Sequence, residues 1–344
     1  MKINALKVFK YLDRIQRISQ GEMVFPVTIE IDPTVLCNCN CSWCINASLR
    51  TGAIHSLDWN RLKSFIQELK GTEVCSAVLK GGGEPMAYPH FSELLYELKA
   101  AGLKTGLITN GTLLNQHAEA VATCCEWVRV SLSAANRDVY FRTQRPQTIE
   151  VFDQVISNLE STANRVHTGI CMVASPLTDD AVYGVAAIAR NTGCAYIDIK
   201  LAHSKDKVPL SPDSLAKVTE QIDRAQREFG NALEILWNRV AEAESPVRYD
   251  VCKGHQLIGI LCADGHFYSC CTKKGDREYS LGSIYDQSFE TIWLGEQHRK
   301  ICQTIDSGRC RNDCVGMTSF ARYDYYNDIF RCIHDDQLRH GSFL

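Results

Sequence analysis

The stretch VTIEIDPTVLCNCNCSWC, residues 27–44, contains the features that decide the fold of this chain. Its first six residues form an apolar, β-branched run, which is typical of a buried strand. Four cysteines follow within eight residues, CNCNCSWC (37–44). Cysteines this dense belong to a disulfide knot, a zinc site or the cradle of an iron–sulfur cluster.

The composition favours a metal site in a reducing compartment. The chain has 344 residues, 45% hydrophobic and 22% charged, as in an ordinary soluble globular protein. It contains 17 cysteines, an odd number, although disulfide-rich proteins are short and secreted. The N-terminus is amphipathic and lacks the apolar core of a signal peptide. We therefore expect a cytoplasmic protein whose clustered thiolates bind metal.

Charge and hydropathy also limit the partners. The formal net charge is −3, which gives no electrostatic reason to expect nucleic-acid binding. No run approaches the roughly 18–20 apolar residues that a membrane span requires. We expect neither a nucleic acid nor a membrane as partner.

Six short apolar runs alternate with amphipathic, helix-like stretches between residue 26 and about residue 200. Strand–helix units in series predict a parallel sheet with right-handed crossovers. Six units form an open, partial (β/α)6 barrel rather than the closed eightfold one. Active residues are then expected at the carboxyl ends of the strands, where the cysteine cluster lies. The runs are VTIEID (27–32), CSAVLK (75–80), KTGLIT (104–109), WVRVSL (127–132), HTGICMVA (167–174) and CAYIDIK (194–200).

The predicted α/β organisation has three parts: an N-terminal helix (1–25), the partial barrel (26–235), and a small cysteine-rich domain with a tail (236–344). A long last helix is expected over 210–232. The boundary falls near 235–250, because AEAESPVRYDV (241–251) resembles a linker and the alternation stops after it. Asp264-Gly265 predicts a β-hairpin in the third part, followed by a helix.

The spacing Cys37-x3-Cys41-x2-Cys44 allows one loop to place three thiolates around one face of a cubane cluster. The fourth iron then has no protein ligand, and an open metal position is typical of catalytic rather than structural sites. Cys39 falls outside this register, so we do not expect it to be a ligand. A zinc knuckle is the weaker alternative, because no nearby residue completes a tetrahedron.

CxxxCxxC directly after a first strand is the signature of the radical S-adenosylmethionine (SAM) enzymes, and the chain resembles that superfamily over roughly residues 25–205. The run KGGGEP (80–85) follows the second strand, where glycines let the backbone approach a ligand closely. In the family this element hydrogen-bonds the amino group of SAM. The resemblance implies further SAM contacts from the turn after the third strand, the end of the fourth and the following arginine. The implied residues are Gly82, Gly83, Glu84, Asn110, Ser131 and Arg142.

The resemblance also implies the chemistry. A [4Fe–4S] cluster binds SAM through its open iron, and an electron from a reductant such as flavodoxin or ferredoxin cleaves the sulfonium. The resulting 5′-deoxyadenosyl radical abstracts hydrogen from a substrate C–H bond. The protein positions the target carbon and excludes water. We assign no catalytic side chain.

The C-terminal cysteines resemble the SPASM/twitch extension of this superfamily, in which a hairpin supplies cysteines to an auxiliary cluster. The turn ADGHFYSCC (263–271) and the phrase LGSIYDQSFETIW (281–293) carry the resemblance. The CxxC of a full SPASM tail is missing, so we expect the twitch form with one auxiliary [4Fe–4S] cluster. A zinc site is the open alternative. The expected ligands are Cys252, Cys270, Cys310 and Cys314, with Cys262, Cys271 and Cys332 in reserve, and Cys302 only if there are two clusters.

We weigh three functions. The first is oxidation or epimerisation of a small polar molecule (a sugar, aminocyclitol or nucleoside), because an auxiliary cluster can accept the second electron of the substrate. The alternative is peptide or protein maturation through a thioether crosslink, epimerisation or formylglycine formation. The short segment before the first strand leans against a leader-binding domain. A non-enzymatic iron–sulfur or zinc protein explains neither the open iron nor the glycine motif.

Overall fold

The computed structural model describes residues 5–51, 56–202, 210–237 and 251–305, together with Asn327, Ile329 and Phe330. Every strand named here belongs to one continuous sheet. The strands are β1 (Thr28–Ile31), β2 (Ser76–Leu79), β3 (Lys104–Thr109), β4 (Cys125–Ser131), β5 (His167–Ala174), β6 (Tyr196–Leu201), β7 (Glu234–Trp237), β8 (Ile258–Leu261), β9 (His266–Tyr268) and β10 (Ser280–Ser283).

The sheet order is β10-β9-β8-β1-β2-β3-β4-β5-β6-β7. All neighbours from β8 to β7 pair in parallel, whereas β9 and β10 pair antiparallel. This open, barrel-like α/β sheet confirms the predicted fold class. Because the parallel strands point the same way, the loops after β1 to β6 meet at one edge.

The helices connect the strands and cover the sheet. Several begin at a side-chain cap: Asp58, for example, accepts from the backbone N–H of Arg61 at 2.8 Å. They are α1 (Leu12–Ser19), α2 (Trp59–Glu68), α3 (Phe91–Ala100), α4 (Ala118–Cys124), α5 (Arg137–Gln144), α6 (Val151–Ala163), α7 (Val182–Asn191), α8 (Pro212–Phe229), α9 (Phe289–Leu294) and α10 (Glu296–Thr304). A 3₁₀ turn, Ala5–Tyr11, leads into α1, so the predicted N-terminal helix is shorter and composite.

The core lies between the barrel strands and these helices. Ile31, Leu79 and Leu107 follow one another across β1, β2 and β3, and each is fully buried. Burying such a side chain contributes about 1.5–3 kcal/mol. Both faces of the parallel sheet are covered, so its strands are mostly apolar. This is why they appear in the sequence as apolar runs.

The C-terminal hairpin extends the barrel sheet. β8 pairs in parallel with β1, and β9 returns antiparallel after the predicted turn, where Gly265 has φ +80°. A side chain at Gly265 would also collide with the ring of Tyr285, 2.2 Å from its Cβ position. The hairpin therefore lies beside the strand that carries the cysteine loop. Residues 238–250, which contain the expected boundary, lie outside the described residues, so the domain limits stay a prediction.

None of the described helices combines the length and the apolar character that crossing a bilayer requires.

β7 was not predicted from the sequence. Its run EILW is only four residues long and directly precedes the supposed linker, so pairing with β6 rather than its own pattern defines it.

Candidate active site

All of the predicted SAM-site residues except Arg142 line one cavity of about 370 Å³ at the carboxyl ends of the strands. The cysteine loop follows β1, the glycine run follows β2, and the next two contributions come from the ends of β3 and β4. The parallel sheet therefore brings together residues that lie almost 100 positions apart. Those that line the cavity are Cys37, Cys41, Cys44, Gly82, Gly83, Glu84, Asn110 and Ser131.

The cysteine loop is held by the end of α5. The backbone N–H of Asn40 donates to the Gln144 carbonyl at 3.1 Å, and that of Ser42 to the Thr143 carbonyl at 2.9 Å. The chain then turns at Arg145, whose φ of 48° is left-handed and uncommon for a side chain with a Cβ. Backbone hydrogen bonds to the end of α5 therefore hold the cysteine loop.

The four thiols of the loop have different surroundings. Cys37, Cys41 and Cys44 are half-buried, whereas Cys39 is 3% exposed and its Sγ receives Asn110 Nδ2 at 3.6 Å. Burial raises the pKa of the Cys41 thiol to about 12 and also raises that of Cys37. Binding a metal therefore has to displace protons from these sulfurs.

Arg50 lies against the loop and was missed by the sequence analysis. Its Nη2 is 3.1 Å from Cys44 Sγ, and its Nη1 donates to the Cys39 carbonyl at 3.0 Å. A guanidinium favours anionic sulfur nearby. Three soft thiolate donors around an open cavity, beside a fixed cation, fit an iron–sulfur cluster. No pattern in the sequence marks this arginine, because its role depends on how the loop folds back.

The glycine run packs directly on the segment before the cysteines. The Gly83 N–H donates to the Thr34 carbonyl at 3.0 Å, and the Glu84 N–H to the Leu36 carbonyl at 2.8 Å. A Cβ on Gly83 would lie 2.0 Å from the Leu36 oxygen, which is impossible without movement. The close approach of the two loops therefore requires glycine here, and the loops form one unit.

The Glu84 carboxylate is buried and has its own partners. It accepts hydrogen bonds from Thr109 Oγ1 and the Asn110 N–H, both at 2.7 Å, and from the Met86 N–H at 3.2 Å. Burial raises the pKa of Glu84 to about 7, although these hydrogen bonds act in the opposite direction. The carboxylate ties the glycine loop to the end of β3, and its contact with the SAM amino group stays a prediction.

Of the other predicted SAM contacts, two line the cavity and one does not. Asn110 donates through Nδ2 to Asn38 Oδ1 at 2.7 Å and faces the cavity with Ser131. Arg142 is exposed on α5 and is not among the residues that line the cavity, so its pairing with the SAM carboxylate remains a prediction without support from this geometry. Gln144, which the sequence did not single out, is buried there and donates to the Ser131 carbonyl at 3.0 Å.

Among the described residues, three lysines line the cavity, and each is paired with a carboxylate. Burial opposes the charge of Lys274, whose side chain is 5% exposed, but the adjacent Asp32 raises its pKa above the ordinary value. The sequence could not reveal this pair, because the two residues are 242 positions apart. The pairs are Lys80–Glu30 at 2.5 Å, Lys200–Asp198 at 3.5 Å, and Lys274–Asp32.

The predicted auxiliary-cluster ligands are only partly described. Cys252 Sγ accepts from Asn327 Nδ2 at 3.3 Å, and Cys270 Sγ from Thr272 Oγ1 at 3.5 Å. Of the reserve cysteines, Cys262 is buried next to Asp32, and Cys271 lines the cavity of the first cluster while its thiol contacts that of Cys270. The ligand set therefore stays a prediction. Cys310, Cys314 and Cys332 lie outside the described residues.

Two protein-family models match the chain, one over the barrel and one over the C-terminal cysteine-rich region. Residues 31–188 match the radical SAM superfamily, and residues 252–315 match SPASM, an iron–sulfur cluster-binding domain. The chain therefore belongs to the radical SAM superfamily and carries a SPASM-type C-terminal domain. It is a radical SAM enzyme, and these domains imply a [4Fe–4S] cluster, SAM and auxiliary iron–sulfur.

The chain is similar to individual proteins over different lengths. Mycofactocin maturase MftC of Mycolicibacterium smegmatis is 22% identical over 300 residues, covering 83% of this chain and 74% of that protein. An S-adenosylmethionine-dependent nucleotide dehydratase of a Thermoplasmatales archaeon is 22% identical over 197 residues, covering 56% of this chain and 70% of that protein. The crystal structure of Streptococcus suis SuiB bound to the precursor peptide SuiA has the same fold. It superposes with a TM-score of 0.68 at 14% identity, covering 94% of this chain and 78% of SuiB.

Proposed function

We propose that this chain is a radical SAM maturase that acts on a peptide. The observation that carries the proposal is the extent of the similarity to the maturase MftC. That match spans 300 residues, more than the barrel alone contains, so it includes part of the C-terminal domain. The similarity to the nucleotide dehydratase spans 56% of the chain. The peptide alternative is therefore better supported than the small polar substrate that we placed first.

The charges around the cavity also favour a peptide over a nucleotide. A phosphate group needs cations that are available to it, typically arginine or lysine. Each described lysine that lines the cavity has a carboxylate partner, although Asp198 also pairs with Arg129, and Arg50 lies against Cys44. A phosphate bound at Lys80 or Lys274 would have to displace the carboxylate of that lysine, whereas a peptide backbone needs no net positive site.

The residues of the chain then have distinct tasks. When bound, the cluster and SAM supply reductive cleavage of SAM and removal of a hydrogen atom from a substrate C–H bond. We assign the cluster to Cys37, Cys41 and Cys44, and the approach of SAM to the backbone of Gly82 and Gly83. The fixed loops and the buried walls of the cavity exclude water from the reacting carbon.

The test uses the reconstituted, reduced protein with SAM and a short peptide encoded beside its gene. We expect 5′-deoxyadenosine together with a change in the mass of the peptide, and neither product with the Cys41→Ala variant. Nucleoside triphosphates and sugars are offered in parallel reactions. Conversion of one of these, with the peptide unchanged, would overturn the peptide proposal and restore the small-molecule function.

A further inference from the structure

A second set of metal-type donors lies away from the SAM cavity. His255 precedes β8, and His298 and Cys302 lie one turn apart on α10. One donor atom from each residue lies within 4.8 Å of the other two. Within the described part of the chain, no other group of three or more such residues is this compact. His255 and His298 are 2% and 0% exposed.

Both imidazoles are oriented by a backbone carbonyl. His255 Nδ1 lies 2.6 Å from the Cys252 carbonyl oxygen, and His298 Nδ1 lies 2.6 Å from that of Trp293. A carbonyl can only accept, so each Nδ1 carries the proton and each Nε2 carries a lone pair. This is the way that proteins orient metal-ligating histidines.

The Nε2 atoms are directed to the same place. His255 Nε2 is 3.5 Å from Cys302 Sγ. His298 Nε2 is buried and has no hydrogen-bond partner among the described residues. A buried polar atom without a partner reduces the stability of the fold by about 1–3 kcal/mol. A bound metal ion would remove this penalty.

We propose that His255 Nε2, His298 Nε2 and Cys302 Sγ bind a single divalent cation of the zinc type. Two imidazole nitrogens and one thiolate are donors that zinc prefers. With Zn–N near 2.0 Å and Zn–S near 2.3 Å, tetrahedral donors lie about 3.5 Å apart. The separation of His255 Nε2 and Cys302 Sγ, 3.5 Å, has this value before any ion is bound.

The site would cross-link two parts of the C-terminal domain. The ion joins α10 to the segment that leads into β8, the strand through which this domain pairs with β1 of the barrel. Binding releases the Cys302 thiol proton to solvent, so the site forms more readily as pH rises. None of the three donors is among the four ligands expected for one auxiliary cluster, and Cys302 would be shared only if there were two clusters. The proposal does not depend on the substrate.

The test measures zinc, iron and sulfide per chain in the anaerobically reconstituted protein after exposure to Zn²⁺ and removal of loosely bound metal. We expect about one zinc in the wild type. His298→Phe, which keeps an aromatic ring against Trp293, should lose that zinc, with iron and sulfide unchanged. The matched control is His167→Phe, a substitution of an exposed histidine on β5, which should keep the zinc.

Two results would overturn the proposal. Zinc could remain equal in His298→Phe and the wild type, or iron and sulfide could fall with it, which would assign these residues to an iron–sulfur cluster. Should His298→Phe fail to fold, Cys302→Ser decides alone, because Cys302 is half-buried and a serine keeps its size. We expect this variant to bind zinc at least tenfold more weakly, by titration with a competing chelator.

Discussion

Single residues decide which cysteines of the first loop bind the cluster. Cys39 has the position of a core side chain: it is almost fully buried, and its backbone bridges to Pro146 across the loop. Cys41 is half-buried, and both side chains line the cavity. That Cys41 is a cluster ligand and Cys39 is not stays a prediction from the spacing.

We predict that Cys41→Ala removes the first cluster, because two thiolates cannot hold the cubane in place of three. Cys39→Ala is the matched control, since it deletes a neighbouring sulfur that is not in the ligand register. Iron, sulfide and the visible absorption of the reconstituted proteins measure the effect. A Cys39→Ala protein that loses the cluster, beside a Cys41→Ala protein that keeps it, would show that the assigned register is incorrect.

Glu84 makes stability depend on pH. Its folded-state pKa of about 7 lies above its unfolded value near 4.5, so the folded state binds more protons between these pH values. Stability contributed by the protonated carboxyl is fully present below pH 4.5 and is lost as pH rises through 7. We predict a loss on the order of 3 kcal/mol over this window.

The measurement compares chemical denaturation of the wild type and Glu84→Gln at several pH values. The glutamine has no carboxyl to ionise, so the difference in unfolding free energy between the two proteins should change over this window. Curves that stay parallel from pH 4.5 to 7 would mean that Glu84 does not titrate there.

At the scale of elements, the sequence predicted what depends on local pattern. β3 and β5 have the predicted bounds, because their apolar runs are long and end at clear turns. It missed β7, and it could not predict that α5 holds the cysteine loop through Gln144. Contacts of this kind join segments about 100 positions apart and leave no periodic signal in either of them.

The close contact between the loops after β1 and β2 predicts that a side chain added at Gly83 destabilises the protein. Gly83→Ala should destabilise the fold by about 1–3 kcal/mol and reduce cluster incorporation, because its Cβ would collide with the Leu36 carbonyl. Gly82→Ala is the control: its Cβ would meet side chains rather than backbone, namely Val35 at 3.0 Å and Leu49 at 3.8 Å. Unfolding midpoints and iron content measure both variants. Equal effects of the two substitutions would argue against the close approach of the backbones.

On the scale of the whole molecule, the loop with the first cysteine cluster and the hairpin with the C-terminal cysteines belong to one sheet. The barrel strand β1 has the glycine-loop strand on one side and the C-terminal hairpin on the other. Lys274, which follows the hairpin, is paired with Asp32 at the end of β1 and lines the SAM cavity. The C-terminal domain is therefore part of the cavity wall, which the sequence resemblance alone did not indicate.

Removing the first cluster should leave the auxiliary one. We predict about four irons per chain in the Cys37/Cys41/Cys44→Ala triple variant after anaerobic reconstitution, as one auxiliary [4Fe–4S] cluster requires. Iron and acid-labile sulfide assays measure this number. About eight irons would mean two auxiliary clusters, and essentially none would contradict the assignment of the C-terminal cysteines.

The most direct test of the central claim is the yield of 5′-deoxyadenosine from SAM by the reduced, reconstituted protein. We predict that this product forms in the wild type and in Cys39→Ala, and that Cys41→Ala forms none. Wild-type protein that carries the first cluster and binds SAM, yet gives no 5′-deoxyadenosine with any peptide or small-molecule substrate, would contradict the account.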